Sequence, residues 1–331
     1  MDLKTRIDLL SRLGDYILEN RPEWREAKER AGHENPWFTP EFVELATKNI
    51  AHEFLQKRKL IDWTAHYKIP DLQQRPKTVG VVMAGNLPLV GFHDFVAVFS
   101  SGHKLMIKLS SKDQVLLKHL ITKLIEWNPQ VSEYVTFGDL LKGSDAYIAT
   151  GSNNSARYFE SYFNKYPHII RRNRTSIAVL NGSESTEELE KLADDVHQYF
   201  GLGCRNVTKI YVPKGYDFTQ LLAVFKKYSY MSDFHKYRNN YDYRLALLLL
   251  NKQYYMTNGS ILLVENKSPF SPISQLNYQY YSNISETLND NPGEIQCVVG
   301  GSSKLPFGIA QQPGLFDYAD GVDTLQFMRG L

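Results

Sequence analysis

Cysteine is almost absent from this chain of 331 residues: Cys204 and Cys297 are the only two, too few for a disulfide framework. The nine histidines form no HExxH or HxH cluster, and two separated cysteines give no zinc-ligand spacing, so no metal site is expected. Neither GxGxxG nor GxxxxGK[ST] occurs, which leaves a standard dinucleotide fingerprint and a P-loop unsupported. Charge of one sign is not in excess: 38 Lys+Arg stand against 36 Asp+Glu. No global field therefore draws the protein to nucleic acid or a membrane. The apolar run Leu245–Leu250 is far short of the roughly 20 residues that cross a bilayer. The opening MDLKTRIDLLSRLGDYILEN mixes charges into an amphipathic pattern where a signal peptide needs an unbroken apolar stretch. These absences imply a soluble cytoplasmic protein whose partner is a small molecule or another protein.

Aromatic residues are abundant, with 21 Tyr and 17 Phe. They suit a large core and would also suit an apolar acyl tunnel. Leu3, Ile7, Leu10, Leu13 and Ile17 recur at helical spacing, and residues 42–57 repeat that pattern. Near Arg75 the pattern changes to strand–helix alternation. TVGVVMAGN is a strand and turn, LPLVGFHDFVAVFSSG a helix stopped by Gly102, KLMIKLS a strand, and SKDQVLLKHLITKLIEW a helix with Ser110 or Asp113 as N-cap. DAYIAT, SNNSARYFESYF, SIAVL and STEELEKLADDVHQYF continue the series, with Ser152 or Asn153 capping the first of these helices. Beyond Cys204 come KIYVPKG, DFTQLLAVFKKY, RLALLLLN as a buried helix segment, and SILLVEN. Such alternation implies parallel, doubly wound α/β sheets whose ligands gather at the carboxyl ends of the strands.

Cys204 sits in FGLGCRNVTK, in a turn between a long helix and a strand. Glycines before it leave room for a substrate carbonyl, and Arg205 would favour the thiolate. An inert buried thiol is the plainer reading, and local context leaves both open. Cys297, among apolar neighbours in EIQCVVG, reads as packing. Asn86 in AGNLP could donate to an oxyanion or simply be a turn residue. Thr150, Gly151 and Ser152 could cradle a phosphate. His197 and His235 are the histidines available for proton transfer, and each equally suits a helix face or core edge.

In this order the fragments resemble the aldehyde dehydrogenase superfamily, and most closely its acyl-CoA reductase (LuxC-like) branch. MAGNLPL stands where the superfamily has Pro-Trp-Asn-Phe-Pro, SSGHKLMIKLSSKD where it has Lys-Pro-Ser-Glu, and ATGSNNSARYF where it has Phe-Thr-Gly-Ser. RRNRTSIAVL falls at Glu-Leu-Gly-Gly-Lys, GLGCRNVTKIYV at the nucleophile, PGEIQCVVG at Glu-Ile-Phe-Gly-Pro, and LPFG at Pro-Phe-Gly. The resemblance implies two doubly wound α/β domains with the active site in the cleft between them. Residues 1–76 would be a helical part of the cofactor domain, 77–175 the nucleotide-binding core, 176–305 the catalytic domain, and 306–331 a return to the cofactor domain or a dimer interface. It further implies Cys204 as nucleophile and Asn86 as oxyanion donor, with Lys108, Ser111, Thr150, Gly151, Ser152 and Glu294 against a nicotinamide cofactor, in a homo-oligomer.

Two departures from the superfamily pattern refine this expectation. Arg171 stands where hydrolytic members carry a water-activating glutamate, with no carboxylate nearby, which favours reduction of an activated acyl group over release of an acid. Ser111 replaces the glutamate of NAD-preferring members, and Lys112 is adjacent, which favours NADPH while leaving NADH possible. The sequence therefore implies reduction of an acyl-CoA, with a fatty chain, to an aldehyde. Alternative readings are a reductase of acyl phosphate or of acyl groups from a partner synthetase, a cofactor-free cysteine acyltransferase, and a relative that only binds.

Overall fold

The computed structural model describes residues 1–283, 293–301, 303 and 305–331, which leaves Pro292 of the PGEIQ motif outside the described residues. The chain divides into two units, residues 1–173 with 313–331 and residues 174–312.

The first unit opens with α1 (Leu3–Glu19), α2 (Pro22–Glu34), α3 (Pro40–Glu53) and α4 (Lys57–His66). Asp2 caps α1 by accepting the Thr5 N–H at 2.7 Å, and Ile7, Leu10, Leu13 and Ile17 line its buried face. Proline begins α2 and α3, where its missing N–H would have no helical partner anyway. The helix expected over 42–57 ends at Glu53, and α4 starts afresh at Lys57.

Five strands follow: β1 (Thr78–Val82), β2 (Lys104–Lys108), β3 (Val135–Phe137), β4 (Ala146–Thr150) and β5 (His168–Arg171). They form one parallel sheet in the order β3-β2-β1-β4-β5. Val82 pairs with Lys108 on one side and Ala149 on the other, so the carboxyl ends of the three central strands lie level. Between them run α5 (Phe92–Ser101), α6 (Val115–Trp127) and α7 (Asn153–Phe163). Gly102 stops α5 at φ 83°, a conformation open to glycine at little steric cost. That helix starts at Phe92, five residues later than the apolar pattern from Leu87 suggests, because the 85–91 stretch is a turn with Leu89 at φ 56°. Neither Ser110 nor Asp113 caps α6: its N-cap is Gln114 without a side-chain bond, since the Asp113 carboxylate turns inward to accept the Leu89 N–H at 2.7 Å.

The second unit holds β6 (Thr175–Val179), α8 (Thr186–His197), β7 (Val207–Pro213), α9 (Thr219–Val224), α10 (His235–Leu250), β8 (Met256–Thr257), β9 (Leu262–Glu265), β10 (Gln275–Tyr281) and β11 (Ile295–Gly300). The sheet order is β11-β6-β7-β10-β9-β8, parallel except for β8. Ser185 and Glu188 form a reciprocal capping box at the start of α8. The leucine run of α10 corrects the expectation of a buried segment: Leu248 packs on Leu262 and Val264, but Leu249 and Leu250 are 58% and 78% exposed. Six successive apolar residues cover every side of a 3.6-residue turn, and one side of α10 is packed. Among the described residues no helix is long and apolar enough to cross a membrane.

Candidate active site

The turn carrying Cys204 is built by the residues around it. After α8 the chain takes three consecutive left-handed conformations, at Tyr199 (φ 55°), Phe200 (φ 57°) and Gly201 (φ 73°). Two of these are bulky residues that pay a steric penalty there, and packing must hold them. Tyr199 is buried, and Phe200 stacks on Phe234 with ring centroids 5.1 Å apart. Asn206, fully buried, ties the turn to the helix. Its Oδ1 accepts the Gly203 N–H at 2.8 Å, while its Nδ2 faces the carbonyls of Asp195, Val196 and Gln198 at 3.1, 3.4 and 2.8 Å. Carbonyls at the end of α8 that the helix cannot satisfy are thus satisfied by the residue two places after the cysteine. Asn206→Ala removes donor and acceptor together and is expected to cost about 2–4 kcal/mol of stability. Urea unfolding checks this.

Cys204 itself is half-buried, and its carbonyl accepts the Ser176 hydroxyl at 3.0 Å. Ser176 Oγ also accepts the Cys297 N–H at 3.2 Å and lies 3.0 Å from Cys297 Sγ. Cys297, read from sequence as packing, is therefore half-buried beside the serine that holds the Cys204 main chain. Glu294 is exposed, and its carbonyl accepts the Thr175 N–H at 3.0 Å. Cys204, Ser176, Glu294 and Cys297 all lie at the amino ends of β6, β7 and β11. The candidate nucleophile thus lies on the connection entering β7, at the amino end of that strand.

The two candidate histidines differ in burial. The His197 ring is buried against Tyr228, its Nδ1 donates to the Ala193 carbonyl at 2.8 Å, and burial pushes its pKa down to about 4. It is a neutral core residue. His235 is exposed at the start of α10.

In the first unit the strand order reverses between β1 and β4, and the ends of these strands carry the remaining candidates. Asn86 lies exposed just beyond β1, Lys108 and Ser111 are exposed at and after the end of β2, and Thr150, Gly151 and Ser152 close β4. A Cβ on Gly85 would come within 2.5 Å of Ser110 Oγ, so the AGN turn packs directly on the turn after β2. A Cβ on Gly151 would fall 2.8 Å from Ser155 Cβ, so β4 passes into α7 with no room for a side chain. Ser152 caps α7 by accepting the Ser155 N–H at 3.2 Å, and no acidic residue occupies the first turn. An anion such as a pyrophosphate is therefore unopposed there. With the Lys108 ammonium and the Thr150 and Ser152 hydroxyls, these groups are chemically compatible with a dinucleotide. Among the described residues no three His, Cys, Asp or Glu side chains cluster as metal ligands would.

Arg171 overturns one expectation. It ends β5 with a carboxylate directly against it: Nη1 pairs with Asp94 of α5, and Nη2 donates to Thr324 Oγ1 at 2.8 Å. A single-sequence scan of its own segment could not find Asp94, which lies 77 positions earlier. Asn206 and Ser176 were missed for a related reason, since an isolated Asn or Ser has no periodicity and acts only through the turn it closes.

The fold has many solved counterparts. An aldehyde dehydrogenase from Mycobacterium tuberculosis, complexed with NAD+, is 14% identical with a TM-score of 0.63 over 88% of this chain and 71% of that one. An aldehyde dehydrogenase variant from Bacillus cereus gives 13%, 0.64, 94% and 83%. Aldehyde dehydrogenase C of Pseudomonas syringae, solved with NAD+ and octanal, gives 12%, 0.61, 87% and 70%. These likenesses show an aldehyde-dehydrogenase-like fold. No curated protein matches the sequence. The sequence profile of the acyl-CoA reductase (LuxC) family matches residues 44–223, just over half of the chain, and the chain belongs to that family.

Proposed function

We propose that the protein reduces a fatty acyl-CoA to the aldehyde through an acyl thioester on Cys204. The observation that carries this reading is the nucleophile turn: Cys204 is half-exposed on a loop whose backbone is fixed by Asn206 and Ser176 and stored in left-handed conformations. Such over-determined geometry is a cost that a merely structural cysteine does not require.

The Cys204 thiolate attacks the thioester carbonyl carbon, the carbon–sulfur bond to coenzyme A breaks, and coenzyme A leaves as thiolate. The Asn86 amide and the Cys204 N–H hold the oxyanion in both tetrahedral species. Lys108, Ser111, the Thr150–Ser152 turn and Glu294 bind the dinucleotide, and exposed Ser111 beside exposed Lys112 favours a 2′-phosphate, hence NADPH. A reduced nicotinamide, when bound, supplies the hydride that takes the acyl group to the aldehyde level. Collapse of the Cys204 thiohemiacetal then frees the aldehyde and restores the thiolate. Hydrolysis does not compete well, because the carboxylate nearest Arg171 is Asp94, buried and held in an ion pair.

Intact-protein mass spectrometry tests the reading. Incubation with a mixture of acyl-CoAs should add one acyl mass, and NADPH should remove it with formation of aldehyde. Absence of an adduct together with unconsumed NADPH would overturn the proposal, and an adduct that only a thiol or amine acceptor removes would mark an acyltransferase.

A further inference from the structure

The loop between β1 and α5 carries Asn86, and one buried group fastens it. Leu89, three residues on, is held at φ 56°, a conformation a branched side chain adopts at a penalty. Its N–H donates to Asp113 Oδ2 at 2.7 Å, a fully buried bond across 24 residues. Asp113 is 7% exposed, and its other oxygen, Oδ1, has no hydrogen-bond partner among the described residues. The carboxylate faces a small cavity at the carboxyl ends of β1 and β2 lined by Met83, Leu89, Phe92, Leu109 and Leu117, with Ala84 and Gly91 completing the wall. None of these groups is charged. Lys108 and Lys112, the neighbouring cations in sequence, are exposed to solvent. A carboxylate in such surroundings is an expensive way to accept one N–H, which a neutral group could do as well for the fold alone.

We propose that Asp113 is a positioning residue: its carboxylate clamps the 83–91 loop at Leu89 and thereby holds Asn86 where it meets the acyl oxyanion. The proposal rests on the reading of Asn86 as oxyanion donor. The ionised carboxylate is the stronger acceptor and grips the loop more firmly than the neutral acid. Burial pushes the Asp113 carboxyl up to about 6, so the grip weakens within an accessible pH range. The same shift means that stability is greatest with the acid neutral and falls as pH rises from about 4 through about 6. Strong clamping and maximal stability thus fall on opposite sides of one titration.

The test uses the full-length protein with Asp113→Ala, Asp113→Asn and Asn86→Ala, read as steady-state reduction of acyl-CoA by NADPH from pH 5 to 8. Asp113→Ala is expected to lower kcat about 10-fold with the NADPH KM changed less than 2-fold. Asp113→Asn, which keeps a neutral acceptor for Leu89, should hold kcat between those of Asp113→Ala and the native protein, at the level the native protein reaches with Asp113 protonated. It should also lack the fall in kcat below about pH 6 that is expected of the native protein, and its Tm should fall less between pH 4 and 6. A folded Asp113→Ala protein with kcat within 2-fold of native, or an acid limb unchanged in Asp113→Asn, overturns the proposal. Asn86→Ala separates the two ideas. If it lowers kcat while Asp113→Ala does not, the clamp fails and the oxyanion reading stands. If Asn86→Ala leaves kcat unchanged, the oxyanion reading fails, and with it the stated purpose of the clamp.

Discussion

Cys204→Ala is expected to lower acyl-CoA-dependent oxidation of the reduced cofactor by a factor on the order of 10⁵ and to abolish the acyl adduct, while the protein keeps its native melting temperature. The thiol contributes the only covalent step in the proposed route, so nothing else in the turn can substitute for it. The turn itself should survive the change. The bonds through the Gly203 N–H, the Asn206 side chain and the Cys204 carbonyl do not pass through Sγ. Cys297 supplies the control. It lies beside the same Ser176 hydroxyl, and Cys297→Ala should leave both the adduct and turnover in place. Adduct in Cys204→Ala but not in Cys297→Ala would transfer the nucleophile to the neighbouring strand. Dinucleotide binding, read as any shift in melting temperature on adding NADPH, should be the same in all three proteins.

The sequence carried the alternation of strand and helix well, because apolar strands of four to seven residues separated by amphipathic helices leave few other solutions. It carried the candidate site unevenly. The turns after β1, β2 and β4 were legible because Gly85, Gly151 and the capping Ser152 mark tight passages in which a side chain has no room. The supports were not. Asp113 reads as a helix cap, since Asp before a helix usually is one, and only the packing of the 83–91 loop turns it inward. Arg171 reads as an isolated cation until α5 brings Asp94 against it. The leucines of α10 read as core because composition reports apolarity but not which side of a helix meets the sheet. The strands β3, β5, β8, β10 and β11 also escaped: β3 and β8 are too brief for a period to show, and the seven residues of β10, QLNYQYY, mix amides with tyrosines and carry no plain apolar run.

The Arg171–Asp94 pair yields the largest expected effect on stability, and it tests whether Arg171 has a chemical or an architectural reason to be there. Both side chains are nearly inaccessible, at 6% and 5% exposure. Arg171→Met strands the Asp94 charge in the core and removes the bond to Thr324, and is expected to cost about 3–5 kcal/mol. The double variant Asp94→Leu, Arg171→Met removes both charges, and should regain most of that loss because neither partner remains to be desolvated unpaired. Urea unfolding followed by tryptophan fluorescence reads the relevant unit, since Trp24, Trp37, Trp63 and Trp127 all lie in residues 1–173. Arg171→Glu is the sharper case. If the glutamate that the superfamily resemblance implies at this position were all that is missing, that change would confer release of free acid from the proposed acyl-enzyme. With Asp94 facing the position, two carboxylates would instead meet in a buried site, and the variant should unfold more readily than Arg171→Met. A stable Arg171→Glu protein that hydrolyses acyl-CoA would show that the position serves chemistry first. Loss of the folded state would show that Arg171 joins the end of β5 to α5 and the terminal helix Thr324–Arg329, and that the weak hydrolysis expected of this enzyme follows from an ion pair occupying that position.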